Sequence, residues 1–313
     1  MKLPDIFYGP NVYWAHMITF RCNGQCPYCL VEGRGPTLNS ASRYEELPGD
    51  QVLQIWNSIE GHNGMRLSII GGECTLHRDF VPIIQGLEGY NVTITTNLAT
   101  PFYEKPEYWK GLQVGYKLRV NTTFHPTSGI TPDVYAERIR TLKDNGVWVD
   151  QIGMVQHPAL DREYWRKEFE RVNLPMRQIT FLGFWTKESG FAQDIKEDTQ
   201  WPNEESDPVK IMSECGIDDI PRYIAQCGQS QDSVIEWECA HGTLCFLVAP
   251  DGTLHECHYK LYYDYDRLGN VLGNFTPVTK PHKCNFFGRC NWCDIPRLRM
   301  TGLDWKNHKV IKR

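Results

Sequence analysis

At 313 residues, with 41% apolar and 23% charged side chains, the chain has an ordinary globular composition and the length for one large domain, or one with a small module attached. A net charge of -5 and a pI near 6.1 give no case for nucleic acid or an anionic membrane as main partner. The first residues lack the apolar core of a signal peptide and no run of about 18 apolar residues occurs, so the expected address is the cytoplasm, where twelve cysteines serve better as metal ligands and thiols than as disulfides.

Residues 13–20 read as a first strand, and the segment after it runs Cys22-Asn-Gly-Gln-Cys26-Pro-Tyr-Cys29. A Cys-x3-Cys-x2-Cys spacing suits three corners of one iron-sulfur cube, leaving the fourth iron without a protein thiolate and open to a substrate or cofactor. A zinc knuckle would need two further ligands at matching distance, and no His or Cys pair follows within about twenty residues. A redox dithiol would use only two of the three thiols.

Further along, Val52, Ile55, Trp56 and Ile59 fall at i, i+3, i+4, i+7 and predict a helix over about 50–59. Residues 65–70 form the second strand, ending in Gly71-Gly72-Glu73. Phe80, Val81, Ile84 and Leu87 mark another helix, and 91–96 the third strand, ending in Thr95-Thr96-Asn97. A helix around 104–112 precedes a fourth strand, 117–123, that runs into Phe124-His125-Pro126. Tyr135, Ile139 and Leu142 define a helix stopped by Asn145-Gly146, and strands 147–155 and 178–182 complete six. Such alternation builds a parallel sheet with right-handed crossovers, whose functional groups collect at the carboxyl ends of the strands. Six strands are too few for a closed eight-stranded barrel, so an α/β fold with an open, partial barrel is expected.

On the cysteine loop after the first strand, Gly-Gly-Glu after the second, and the strand-helix repeat, residues 10–185 resemble the radical SAM superfamily, whose fold is a partial (β/α)6 barrel. The resemblance implies that Cys22, Cys26 and Cys29 ligate a [4Fe-4S] cluster whose open iron is chelated by the amine and carboxylate of S-adenosylmethionine. It places Tyr28 near the adenine. Gly71 and Gly72 would allow backbone approach to the cofactor, while the Glu73 carboxylate or a neighbouring carbonyl accepts from the methionyl ammonium. Asn97, Asn121 and Thr123 fall where the family contacts the carboxylate and ribose, and Met154 with Val155 would wall the adenine. The proline usual after Gly-Gly-Glu is Cys74 here, which either loosens the turn or places a thiol near the cluster.

The second half carries Cys239, Cys245, Cys257, Cys284, Cys290 and Cys293, with Pro250-Asp251-Gly252 as a hairpin turn between Cys239 and Cys257. This is similar to a SPASM or twitch extension, and implies a second, auxiliary [4Fe-4S] cluster on Cys239, Cys257, Cys290 and Cys293, with Cys284 or Cys245 as replacements. A zinc ribbon on the same four thiols is the alternative. The expected division is a barrel over 1–185, a linker and pocket segment over 186–238, and a small C-terminal twitch-like module over 239–313. Spare cysteines are ordinarily buried apolar residues. An enzyme that returns hydrogen to its substrate needs a donor thiol, however, and Cys245 and Cys227 are the candidates. His125 and His157, each followed by proline, read as strand-end turns, with His125 in reach of a substrate.

The resemblance thus implies reductive cleavage of S-adenosylmethionine to a 5'-deoxyadenosyl radical and hydrogen abstraction from a small-molecule substrate, with an electron from a partner such as flavodoxin or ferredoxin. Only about twenty residues precede the cysteine loop, so no amino-terminal leader-binding domain is expected, which favours epimerisation or dehydrogenation of a small polar, sugar- or cyclitol-like substrate. Radical modification of a peptide is the second reading. A non-catalytic iron-sulfur carrier or zinc module is the remote one, because a carrier needs neither Gly-Gly-Glu nor a barrel-sized scaffold.

Overall fold

The structure, a computed structural model, describes residues 3, 12–24, 26, 29, 44–115, 117–155, 161–179, 184–185, 192–193, 238–239, 242, 245–264, 266–276, 278, 282–283, 303–304 and 309–310. Strands β1 (Tyr13–Thr19), β2 (Arg66–Gly71), β3 (Asn91–Thr96), β4 (Leu118–Phe124), β5 (Trp148–Val155) and β6 (Arg177–Ile179) lie side by side in chain order, every neighbour parallel. Two-residue strands β7 (Phe184–Trp185) and β8 (Ala192–Gln193) pair with each other outside this sheet. After β9 (Glu238–Cys239), the chain returns to the β1 flank: β10 (Cys245–Val248) pairs parallel to β1, and β11 (Thr253–His255) and β12 (Gly269–Asn270) follow antiparallel. The expected turn at Pro250-Asp251-Gly252 joins β10 to β11, with Gly252 at φ +82°. Among the described residues the sheet thus holds the expected six strands in order, with three more contributed by the C-terminal region.

Helices α1 (Gly49–Asn57), α2 (Phe80–Gly86), the single turn α3 (Pro106–Trp109), α4 (Pro132–Asp144) and α5 (Arg162–Arg171) fill the crossovers. Helix α4 starts on Thr131, whose hydroxyl accepts from Val134 N, with Pro132 at the first helical position, and it ends where Gly146 takes φ +79°. The region expected as one helix around 104–112 is instead α3 flanked by two 3-10 turns, because Pro101 and Pro106 each start a new turn and neither can donate into a preceding one.

The main core lies between the sheet and these helices. Along β4, Leu118, Val120, Thr122 and Phe124 are buried on that side, and Phe124 meets Tyr135 of α4 and Phe169 of α5 edge-on at 5.2 and 5.5 Å. Arg119, Asn121 and Thr123 alternate to the concave face. A smaller cluster, Ala15, Met17, Phe20, Tyr44, Leu247, Ala249 and Leu261, packs on the other face of β1 and β10, where Leu261 belongs to a last helix, α6 (His258–Tyr263). The concave surface is thus apolar and covered toward β1, and polar and more open toward β4 and β5.

Candidate metal and cofactor site

The site is built by the carboxyl ends of β1, β2 and β3. Gly72 N donates to Thr19 O at 3.0 Å and Glu73 N to Arg21 O at 2.8 Å, so the end of β2 is laced to the chain that leads into the cysteine loop. A methyl group on Gly71 would collide with the Thr19 carbonyl oxygen, and one on Gly72 would sit 2.6 Å from the carbonyl oxygens of Phe20 and Arg21. The close backbone approach expected of these glycines is therefore an approach to the segment before Cys22.

Glu73 is buried, and its carboxylate is filled from within the protein. One oxygen accepts from Thr75 N (3.2 Å), Thr75 Oγ1 (2.7 Å) and Thr96 Oγ1 (2.9 Å), the other from Asn97 N (2.7 Å). Burial pushes this carboxyl above its ordinary range, and the hydrogen bonds from Asn97, Thr75 and Thr96 pull it part of the way back. Of the two acceptors expected for an ammonium, the neighbouring carbonyls are thus the freer. Asn97, fixed through its backbone by Glu73, donates from Nδ2 to Asn23 Oδ1 at 2.9 Å and lies 3.9 Å from Cys22 Sγ. Glu73 and Asn97 connect two strand ends to the cysteine loop.

Cys22, Cys26 and Cys29 are half-buried. The loop turns tightly, with Cys29 N on Cys26 O at 3.0 Å and Gly24 N on Cys22 Sγ at 3.3 Å. A methyl group on Gly24 would lie 3.5 Å from Cys22 Sγ and 3.6 Å from Cys26 Sγ, which brings both sulfurs around one backbone point. The Cys22 thiol is pushed up to about 12, by burial first and then by the negative charge of Glu73, Cys29 and Cys26, against the Gly24 N–H. Such thiols ionise together around a strongly bound cation, and an iron-sulfur cube would supply one. No group of three His, Cys, Asp or Glu among the described residues converges closely enough for a single metal ion; a cube spaces its ligands more widely. Cys26 Sγ also lies 3.2 Å from Thr127 Oγ1, just past β4. On the same strand Asn121 Oδ1 is a buried acceptor that meets no donor among the described residues, the feature a bound nucleoside hydroxyl would satisfy. Donor set and orphan acceptor fit a cube with an attached nucleotide.

Other expected residues fall differently. Thr123 lies on the concave face beside Asn121. Met154 does not: it pairs with Phe124 on the helix side and is fully buried in the main core, because the β5 alternation sends Gly153 and Val155 the other way. Cys74 is buried with Sγ on Thr95 O at 3.3 Å, one of the apolar thiols rather than a neighbour of the cluster loop. Cys245 opens β10 opposite Tyr13, at the amino end of the sheet, about 20 Å along the strands from the end of β1. That placement removes it as hydrogen donor at the carboxyl end. Cys257 precedes α6, half-buried against the Ala15–Met17–Phe20 cluster, and Cys239 pairs with His282 across a two-residue ladder to β13 (His282–Lys283). Tyr28, Cys227, Cys284, Cys290 and Cys293 lie outside the described residues.

Sequence reading missed one clasp. Arg21, next to Cys22, holds Glu46 through two bonds of 2.8 and 2.7 Å, and Thr19 Oγ1 donates to the same carboxylate. Burial raises the Glu46 carboxyl, yet these bonds outweigh it and hold it below its ordinary value. No local pattern signals a partner 25 residues away.

A parallel sheet in chain order, whose first strand enters a three-cysteine loop clasped by Gly-Gly-Glu, is the arrangement that the resemblance to the radical SAM superfamily implies. No family model matches it. Among curated proteins it is similar to the GTP 3',8-cyclase of Mannheimia succiniciproducens, 32% identical over 100 residues, covering 31% of this chain and 29% of that protein. The same enzyme of Edwardsiella ictaluri is 29% identical over 102 residues, 33% of this chain and 30% of the relative. The chain thus spans about a third of the length of the curated relatives it matches. Among solved structures, native anSMEcpe with bound AdoMet has a TM-score of 0.57 at 17% identity, covering 89% of this chain and 88% of that one. Streptococcus suis SuiB bound to S-adenosylmethionine has 0.55 at 13%, covering 84% and 64%. These two likenesses are of fold. No helix among the described residues is long and apolar enough to cross a membrane.

Proposed function

We propose that this chain is a radical SAM enzyme that binds S-adenosylmethionine on a [4Fe-4S] cluster held by Cys22, Cys26 and Cys29 and abstracts a hydrogen atom from a small polar substrate. Cys22, Cys26 and Cys29 would hold the cluster, which when bound would supply the one electron that opens the sulfonium and so the hydrogen-abstracting chemistry. The single observation that carries the reading is the clasp: Glu73, Gly72 and Asn97 tie three strand ends to one half-buried trio of thiols beside an unsatisfied acceptor on β4.

The protein's own part is binding and orientation. Carbonyls at the end of β2 accept from the methionyl ammonium, since the Glu73 carboxylate is already filled. Asn121 Oδ1 accepts from a ribose hydroxyl, Thr123 stands beside it, Tyr28 stacks near the adenine, and Val155 takes the wall position expected of Met154. The polar concave side of β4 and β5 supports a sugar- or cyclitol-like substrate over an apolar one. The match to GTP 3',8-cyclases covers a third of the chain and supports the radical-generating part, not their substrate.

Epimerisation or dehydrogenation completes the reaction, with Cys227 as the remaining donor candidate for the former. An auxiliary [4Fe-4S] cluster on Cys239, Cys257, Cys290 and Cys293 would take the second electron in the latter, and a flavodoxin or ferredoxin supplies the first. The test is anaerobic reconstitution followed by dithionite and S-adenosylmethionine. About eight irons per chain and release of 5'-deoxyadenosine are expected. Zinc in place of iron, or loaded protein that leaves S-adenosylmethionine intact, would overturn the proposal.

A further inference from the structure

The register of the sheet sorts the concave face into layers. Ala15 of β1, Ser68 of β2, Thr93 of β3 and Arg119 of β4 align across the strands, and Asn121 stands one layer nearer the cysteine loop, about 7 Å up β4. Arg119 is the cation of its layer. Its Nη1 stands 3.8 Å from Asp150 Oδ2, at the outer limit of an ion pair, while its Nε is buried and meets no acceptor among the described residues. The guanidinium lies over the Trp148 ring, 5.6 Å from its centroid, which holds the group in place without satisfying a single N–H.

A buried guanidinium N–H without an acceptor is destabilising, and arginine cannot lose its proton to relieve it. Its Nε edge is one side of the fork that receives an oxyanion through two parallel bonds. Asp150, reaching only Nη1, leaves that edge open. We infer that Arg119 receives an oxyanion of the substrate, a carboxylate or a phosphate, and that the substrate is therefore an anionic polar molecule lying along β4 with its charged end toward the amino end of the sheet. The inference rests on the proposed function and narrows its substrate class.

Direction and length follow from β4. Arg119, Asn121 and Thr123 succeed one another up the concave face, and Thr127, past the strand end, touches Cys26 Sγ. Four residues of strand span about 13 Å, so Asn121 and Thr123 serve the nucleoside while Arg119 lies beyond it. A substrate anchored at Arg119 reaches toward the cluster with its uncharged end. The carbon that loses hydrogen is thus remote from the oxyanion, and the Ser68 and Thr93 hydroxyls flank the anchor.

The experiment uses the full chain, reconstituted and saturated with S-adenosylmethionine, titrated calorimetrically with inorganic phosphate and, separately, acetate. At least one of the two is expected to bind, with its Kd raised tenfold or more in Arg119→Gln and by a smaller factor in Arg119→Lys, which keeps the charge and loses the fork. Preference for phosphate or acetate distinguishes the two sources of oxyanion. The inference falls if neither anion binds the wild type, or if Arg119→Gln binds as the wild type does; should Arg119→Gln not fold, unchanged binding by Arg119→Lys has the same force. Release of 5'-deoxyadenosine by the wild type is read separately, so an anion site in a protein that leaves S-adenosylmethionine intact would sink the proposed function and keep the site.

Discussion

Replacing Glu73 by glutamine keeps size and shape and removes one acceptor. The two donors that cannot turn, Thr75 N and Asn97 N, approach opposite oxygens at 3.2 and 2.7 Å. The hydroxyls of Thr75 and Thr96 can rotate to accept from an amide, but a backbone N–H cannot. Whichever way the glutamine amide is turned, its NH2 therefore faces a buried backbone donor. Losing one charge-assisted bond and leaving that N–H unsatisfied costs about 3–5 kcal/mol, and relief of the buried charge returns part of it. The net loss is about 2 kcal/mol, which for a chain of this size lowers Tm by about 3 °C. Differential scanning calorimetry on apo protein reads the effect without the cluster. Thr96→Val should cost at least as much, because Thr96 Oγ1 also accepts from the buried Leu98 N and from Tyr103 Oη. A Glu73→Gln variant within about 1 °C of wild type would refute the view of Glu73 as the clasp of the strand ends.

Gly72→Ala forces the end of β2 off the chain before Cys22 and should cost about 1–3 kcal/mol, with a measurable loss of iron per chain after reconstitution; full iron content would contradict the tight approach. Met154→Ala should lower stability by about 2–5 kcal/mol and leave the affinity for S-adenosylmethionine within about twofold, because the side chain packs beneath the helices; a tenfold loss of affinity in equilibrium binding would put Met154 back on the adenine. His16, whose Nδ1 accepts from Trp56 Nε1 at 3.1 Å, is held at about 3 by burial and secondarily by His77. A depressed histidine contributes stability that is present above about pH 6.5 and lost as pH falls through its folded value, of order 4 kcal/mol in all, so Tm should fall between pH 6.5 and 4, and His16→Gln should flatten that slope; an unchanged slope speaks against it. Cys245→Ala should leave product formation at its normal rate once a substrate is in hand, and abolished turnover with intact clusters would restore it as donor.

Much of the barrel was legible because each strand carries its own signal. Alternation in β4 and the apolar stripes of α1 and α4 put those elements where sequence placed them. Helix α5 was missed: Arg162–Arg171 is mostly charged, and its support comes from the Asp161 cap and from pairs such as Arg166 with Glu163 and Glu170, which no hydrophobic period reveals. The hairpin at Pro250-Asp251-Gly252 was legible, but its docking beside β1 was not, since Cys245–Val248 is only four residues long and its partner lies over two hundred residues away. In the site, Cys22, Cys26, Cys29 and the Gly-Gly-Glu segment could be read because spacing and strand ends are local. The inward filling of Glu73, the outward turn of Met154 and the Arg21–Glu46 clasp depend on tertiary neighbours.

The most direct test of the open-iron arrangement is electron-nuclear double resonance on the reduced, reconstituted protein with S-adenosylmethionine labelled with nitrogen-15 at the amine and oxygen-17 at the carboxylate. Hyperfine couplings from both labels to one iron are predicted, and their disappearance with Cys26→Ala. A fully loaded cluster whose signal carries no coupling from either label would contradict the account.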